Sequence, residues 1–247
     1  MKDAISLGVG EPDFNTPDHI IQAAKAALDA GHTKYTPSSG LLPLRKAICE
    51  KFQKDNGLDY EPSQIIVSNG AKHSIFNVCY AVLDEGDEVI IPAPYWLTYP
   101  EVVKVCGGVP KYLSCKKENK YKFSAEELKA AITPKTKMLI FNSPSNPTGA
   151  VYTEDEVRAI AKVCEEAGIF VLADEIYEKL CFYDNFNVFN YFKNANKIEI
   201  EYVNNLLDDL KRRDFTINAP RFAMNMRVEV RMVISSVSLV SDEFNAP

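Results

Sequence analysis

Apolar positions in this chain fall into two alternating rhythms as far as about Asp184. Short runs rich in valine and isoleucine, at Ile65–Ser68, Glu88–Ile91, Val109–Leu113, Met138–Asn142 and Ile169–Ala173, read as strands covered on both faces. Between them lie stretches of helical spacing that open and close on recognisable signals. Thr16-Pro17 ahead of IIQAAKAAL and Gly31 offers an N-cap, a proline at the first helical position and a glycine past the end. Ser124-Ala125-Glu126-Glu127 and Thr153-Glu154-Asp155-Glu156 both match the capping box, in which hydroxyl and carboxylate each satisfy an unpaired amide. A further helix is expected over His73–Leu83. Strands alternating with helices predict an α/β fold with a mostly parallel sheet between helices. Ligands of such sheets sit beyond the carboxyl ends of the strands.

The pattern changes after Asp184. All eleven glycines fall at or before Gly168, while asparagine becomes denser in residues 185–247. Turns there rely on Asn and Pro, because few positions can take a positive φ cheaply. Glu199–Leu210 could form a helix and Arg227–Val240 a strand or two. Residues 1–184 are therefore expected to form one domain, and 185–247 a divergent tail.

Composition changes this picture little. The 247 residues, 46% hydrophobic and 25% charged, are ordinary for a globular protein. A net charge of -6 disfavours nucleic acid as a partner. No apolar run reaches membrane-spanning length and the N-terminus lacks a signal peptide's apolar stretch, so the cytoplasm is expected. Cys49, Cys79, Cys106, Cys115, Cys164 and Cys181 form no CxxC pair and no zinc spacing, and read as reduced, mostly buried thiols.

Candidate chemistry lies in the turns. Ile65–Ser68 runs into Asn69-Gly70-Ala71-Lys72 and then a helix, where open amides and the positive end of the dipole suit a phosphate. By itself, an ordinary strand-to-helix connection is the plainer reading. Pro92-Ala93-Pro94-Tyr95-Trp96 sets the chain's one Trp on a rigid turn, from which it could stack on a heteroaromatic ring or fill the core. Asn142-Ser143-Pro144-Ser145-Asn146-Pro147-Thr148-Gly149 carries enough constraint to hold the Asn146 amide in one place. Asp174, with Tyr177 three residues on, could pair with a pyridine nitrogen and keep it protonated, or could simply cap a helix.

Together with LGVGEPDF (Leu7–Phe14) and KYTPSSG (Lys34–Gly40), the sequences NGAK, PYW, NSPSNPTG and DEIYEKL resemble, in order and spacing, class I aspartate-type aminotransferases dependent on pyridoxal phosphate (PLP). The resemblance implies the large, PLP-binding domain of the fold-type-I transferases over residues 1–184, truncated. It also implies an amino acid and a 2-oxo acid as substrates, and a homodimer. By it, Gly10 contacts the substrate carboxylate, joined by Trp96 and Asn146, and Tyr35 reaches the phosphate of the neighbouring subunit. Gly70, Ala71 and Lys72 hold the phosphate, Trp96 stacks on the ring, Asn146 and Tyr177 bind its phenolic oxygen, and Asp174 pairs with its nitrogen.

The Ser-Lys pair that supplies the family's Schiff-base lysine, and the Gly-x-Arg-x-Gly run after it, do not occur. That lysine is both the anchor and the proton-transfer base, so the catalytic residue stays unassigned. Lys193, Lys197 and Lys211 are available; Lys211 is the least unsuitable, and a solvated lysine is the plainer reading. Glu201–Ala219 resembles a segment of tRNA nucleotidyltransferases, with Arg212, Arg213 and Asp214 near the nucleotide. Paired metal-binding carboxylates for that chemistry are missing. Three readings follow: an incomplete aminotransferase, a PLP-binding remnant or chimera, and a nucleotidyltransferase.

Overall fold

Ser124 and Thr153 each accept a hydrogen bond from the amide three residues on, and Glu127 and Glu156 reach back to the amides of Ser124 and Thr153. Both expected capping boxes therefore open helices, in chain order α5 (Ala125–Ala131) and α6 (Glu154–Ala167). The computed structural model describes residue 10, residues 15–180 and residues 233–235. The chain divides into two compact units, Met1–Thr36 with Val237–Pro247, and Pro37–Ser236.

In the first unit α1 spans Asp18–Asp29. Pro17 is its N-cap, with extended backbone at ψ 141°, and not its first helical residue as the sequence suggested. The glycine signal holds, since Gly31 takes φ 76° just beyond the last turn.

In the second unit the elements run α2 (Leu42–Asn56), β1 (Ile65–Val67), α3 (Ala71–Val82), β2 (Glu88–Ala93), α4 (Thr98–Val105), β3 (Val109–Ser114), β4 (Thr136–Asn142), β5 (Phe170–Asp174) and β6 (Val233–Ser235), with α5 and α6 flanking β4 in sequence. The five expected strands are all present within two residues of their predicted bounds. Helices α2 and α4 were not foreseen. Pro43 and the left-handed Gly57 mark the ends of α2, but the stretch between, LPLRKAICEKFQKDN, is too charged to show a clear apolar stripe. Strand β6 falls inside the expected Arg227–Val240 segment and pairs in parallel with β1. The expected helix at Glu199–Leu210 lies outside the described residues.

Four strands form a parallel sheet in the order β3-β2-β4-β5. Its central strands are apolar on both sides. Ile90, Leu139 and Phe141 face Leu128, Val157, Ile160 and Cys164 of α5 and α6, while Val89, Ile91, Met138 and Ile140 face Ile75, Val78 and Val103 of α3 and α4. A smaller cluster, Ile48, Leu58, Tyr60 and Ile65, joins α2 to β1. Burial pushes the thiols of Cys79 and Cys164 up to about 12 and that of Cys115 to about 11, which suits packing and not reaction. No described helix is long and apolar enough to cross a membrane.

The strand order reverses direction at one place. The chain leaves β2 for β3 on one side and returns to β4 on the other, so β2 and β4 meet at a topological switch point, where parallel sheets open a crevice. Their pairing runs only from Glu88↔Thr136 to Ile90↔Leu139. Near the carboxyl ends of these strands, Pro92, Tyr95, Tyr99, Asn142 and Asn146 line an opening.

Candidate functional site

The turn from β1 into α3 depends on Gly70, whose φ of 83° is left-handed and costs a side-chain-bearing residue strain. Its shape is held from inside: the Asn69 amide donates to Nδ1 of His73 at 3.1 Å, and the Gly70 amide to the Ser68 carbonyl at 2.9 Å. The amides of Ala71 and Lys72 come first in the helix and have no carbonyl partner within it. No acidic residue lies in that first turn. Donors, dipole and charge there suit a dianionic phosphate. The buried hydroxyl of Ser74, also in the first turn, has no hydrogen-bond partner among the described residues.

Trp96, beyond β2, sits edge-on to Tyr99 with centroids 5.5 Å apart and planes at 87°. The Lys72 ammonium lies 5.4 Å from the centre of the indole. The residues expected to meet the phosphate and the ring are therefore in contact with each other.

Asp174 ends β5 and is 4% exposed. Its Oδ2 accepts the Tyr99 hydroxyl at 2.7 Å and its Oδ1 accepts the Ile176 amide at 3.2 Å. It does not cap an α-helix; a three-residue 3-10 turn, Glu178–Leu180, follows instead. Burial raises its pKa above the ordinary carboxylate value, and the bonds from Tyr99 and Ile176 pull against that rise. The Tyr99 phenol is likewise pushed up, by burial first and then by Asp174 and Tyr177. A cationic ring nitrogen beside such a carboxylate would relieve an existing electrostatic cost.

Asn142, at the end of β4, is the register partner of Asp174. Its Nδ2 donates to the Asp174 carbonyl at 2.8 Å, and its Oδ1 accepts the Asn146 amide at 2.7 Å. The loop is closed by Gly149 N–H to the Ser145 carbonyl at 2.8 Å and Ser145 N–H to the Ala150 carbonyl at 3.0 Å. Held in this way, Asn146 directs its Nδ2 to the Tyr177 hydroxyl at 3.4 Å.

An unbroken series of contacts thus runs Lys72, Trp96, Tyr99, Asp174, Asn142, Asn146, Tyr177. Five of these were picked out in the sequence. Tyr99 and Asn142, which join the rest, were not given roles, although Tyr99 stands one helical turn after Trp96 and Asn142 begins the NSPSNPTG loop. Gly10 and Tyr35 belong to the first unit, and both are exposed. Lys193, Lys197 and Lys211 lie outside the described residues. No cluster of potential metal ligands occurs among the described residues.

The family model "Aminotransferase class I and II" matches residues 2–204, extending past Asp184. The aspartate aminotransferase of Geobacillus stearothermophilus is 56% identical over 180 residues, which are 73% of this chain and 46% of that protein. A probable aspartate/prephenate aminotransferase of Rickettsia conorii is 47% identical over 225 residues, 91% of this chain and 53% of that protein. The crystal structure of the Rhizobium meliloti aspartate aminotransferase superposes with a TM-score of 0.74 at 44% identity, covering 77% of this chain and 48% of that one. The fold is that of the PLP-dependent type I transferases. The chain spans about half the length of the relatives it matches. The nucleotidyltransferase likeness of Glu201–Ala219 finds no support in these comparisons, and that segment lies outside the described residues.

Proposed function

Because this chain belongs to the class I and II aminotransferases, we propose that its switch-point crevice holds PLP and serves amino-group transfer between an amino acid and a 2-oxo acid. The observation that carries this reading is the series of contacts from Lys72 to Tyr177. It sets an anion-binding helix start, an indole, a buried carboxylate and an amide-phenol pair along one path, as a phosphorylated hydroxypyridine requires.

The residues divide the work by chemistry. The Ala71 and Lys72 amides and the dipole of α3 hold the phosphate, with Gly70 permitting the turn. Trp96 packs on the ring face. Asp174, kept dry by its burial and oriented by Tyr99, Ile176 and the Asn142 bond to its backbone, holds a proton on the ring nitrogen. Asn146 and Tyr177 bind the phenolic oxygen. When bound, PLP supplies an electron sink for a substrate that has lost its α-proton. The names of the relatives favour aspartate as amino donor. A homodimer follows the same reading, in which exposed Tyr35 reaches the phosphate in the neighbouring subunit.

This sequence offers no Ser-Lys pair for the covalent anchor and α-proton base. The chain on its own is therefore expected to bind PLP but to transaminate far more slowly than about 10 s⁻¹, the usual enzyme median. The test is titration of the full chain with PLP, followed by fluorescence of Trp96, the single Trp in the sequence. Saturable quenching that is weakened for pyridoxal lacking the phosphate supports the reading. Absence of saturable quenching overturns it. Borohydride reduction and peptide mapping then report whether one lysine, such as Lys211, has been modified.

A further inference from the structure

Tyr177 stands on a short turn, and the structure holds that turn from a distant place. The carboxylate of the next residue, Glu178, is gripped through both oxygens by α2: Lys51 Nζ bonds Oε1, and Asn56 Nδ2 donates to Oε2 at 2.8 Å. Lys51 also donates to Asn56 Oδ1 at 3.0 Å, which closes a three-membered ring of side chains. A second tie joins Lys179 Nζ to Asp55 Oδ2 at 2.8 Å. More than 120 residues of chain separate the partners.

This cluster is not a chance meeting of surface charges. Asn56, the last residue of α2, is 6% exposed, and a buried amide is costly unless its groups are bonded in fixed geometry. A helix C-terminus also carries partial negative charge, which repels a carboxylate. Lys51 and the Asn56 amide offset that repulsion by meeting Glu178 directly. The arrangement thus fixes the turn one residue after Tyr177 to a rigid helix, while Asn146 is fixed independently by Asn142 at the end of β4. The separation between the two phenolic-oxygen ligands is set by two different parts of the fold.

We propose that Lys51 and Asn56 are positioning residues for the cofactor site: by holding Glu178 they set the Tyr177 hydroxyl opposite Asn146, so that both address one oxygen of the ligand. This rests on the reading above, in which Tyr177 and Asn146 bind the phenolic oxygen of PLP. A misplaced Tyr177 would lose that hydrogen bond and leave the phosphate, stacking and nitrogen contacts in place.

The test compares PLP with an analogue lacking the phenolic oxygen, using Trp96 fluorescence of the full chain, with thermal melts as a check on folding. Lys51→Met and Asn56→Ala are expected to weaken PLP binding by about fivefold, the value of one hydrogen bond, and to leave binding of the analogue unchanged. Lys51→Arg should restore most of the loss. In a Tyr177→Phe background Lys51→Met should add nothing. If either variant unfolds, Glu178→Gln, which keeps the side chain's shape, carries the same comparison. Equal losses for PLP and the analogue, or additivity with Tyr177→Phe, would make the cluster merely structural and overturn the proposal. A wild-type chain that binds both ligands equally well would instead refute the phenolic-oxygen assignment, and the inference with it. One that binds neither would refute the cofactor reading itself.

Discussion

The Tyr99 hydroxyl donates a 2.7 Å hydrogen bond to Oδ2 of Asp174, joining the helix after β2 to the end of β5 inside the protein. Burial favours the neutral form of this carboxyl, and the Tyr99 bond favours the charged form. Removing the bond lets burial prevail. Tyr99→Phe should weaken PLP binding by about tenfold, as expected for a hydrogen bond to a charged group. It should also move the acid limb of PLP binding to higher pH, because Asp174 would then gain its proton more readily. Affinity measured across pH for both proteins checks this, and an acid limb that stays in place would show that Tyr99 does not tune Asp174.

Asp174 should also cost the ligand-free protein stability. Its folded pKa lies above the ordinary 3.8, so its contribution to stability is full below that value and is lost as pH rises through the folded pKa. Asp174→Asn should therefore make the ligand-free chain more stable near neutrality, with the advantage shrinking in acid. The same change should weaken PLP binding, since a neutral amide cannot hold a proton on the ring nitrogen. Urea unfolding at several pH values, with and without PLP, measures both effects.

Trp96→Ala should cost about 1 kcal/mol of cofactor binding, several-fold in affinity, through lost stacking. Equilibrium dialysis with detection of PLP absorbance gives the value without relying on the indole. Unchanged affinity would return Trp96 to a packing role beside Tyr99 and Lys72.

Gly40 tests the scaffold apart from the ligand. Its φ is 97°, and a Cβ there would come within 2.5 Å of Val67 Cγ2 on β1. Gly40→Ala should destabilise the chain by about 1–3 kcal/mol through overpacking and backbone strain. Adding Val67→Ala removes the Cγ2 clash but leaves the Val67 Cβ 2.7 Å from the new methyl, so it should recover only part of the steric cost. Chemical denaturation of the single and double variants measures that part.

What the sequence determined by itself is local. The boxes Ser124/Glu127 and Thr153/Glu156 were legible because capping acts between residues three apart. The strands were legible because both-face burial leaves continuous apolar runs, and the turn into α3 because Gly70 must take a positive φ. Even locally the reading had limits: Pro17 fits the N-cap as well as the first turn, and α2 carried end signals around a charged stretch. Tertiary structure alone decided which distant residues meet. Tyr99 reaches Asp174 across 75 positions, and Lys51 reaches Glu178 across 127. Asn142 reaches Asp174 because β4 and β5 are neighbours in that register. Periodicity says which face of an element is buried, but strand order and register say what lies opposite. The switch point at which β2 and β4 meet is a property of the whole sheet that no single segment encodes.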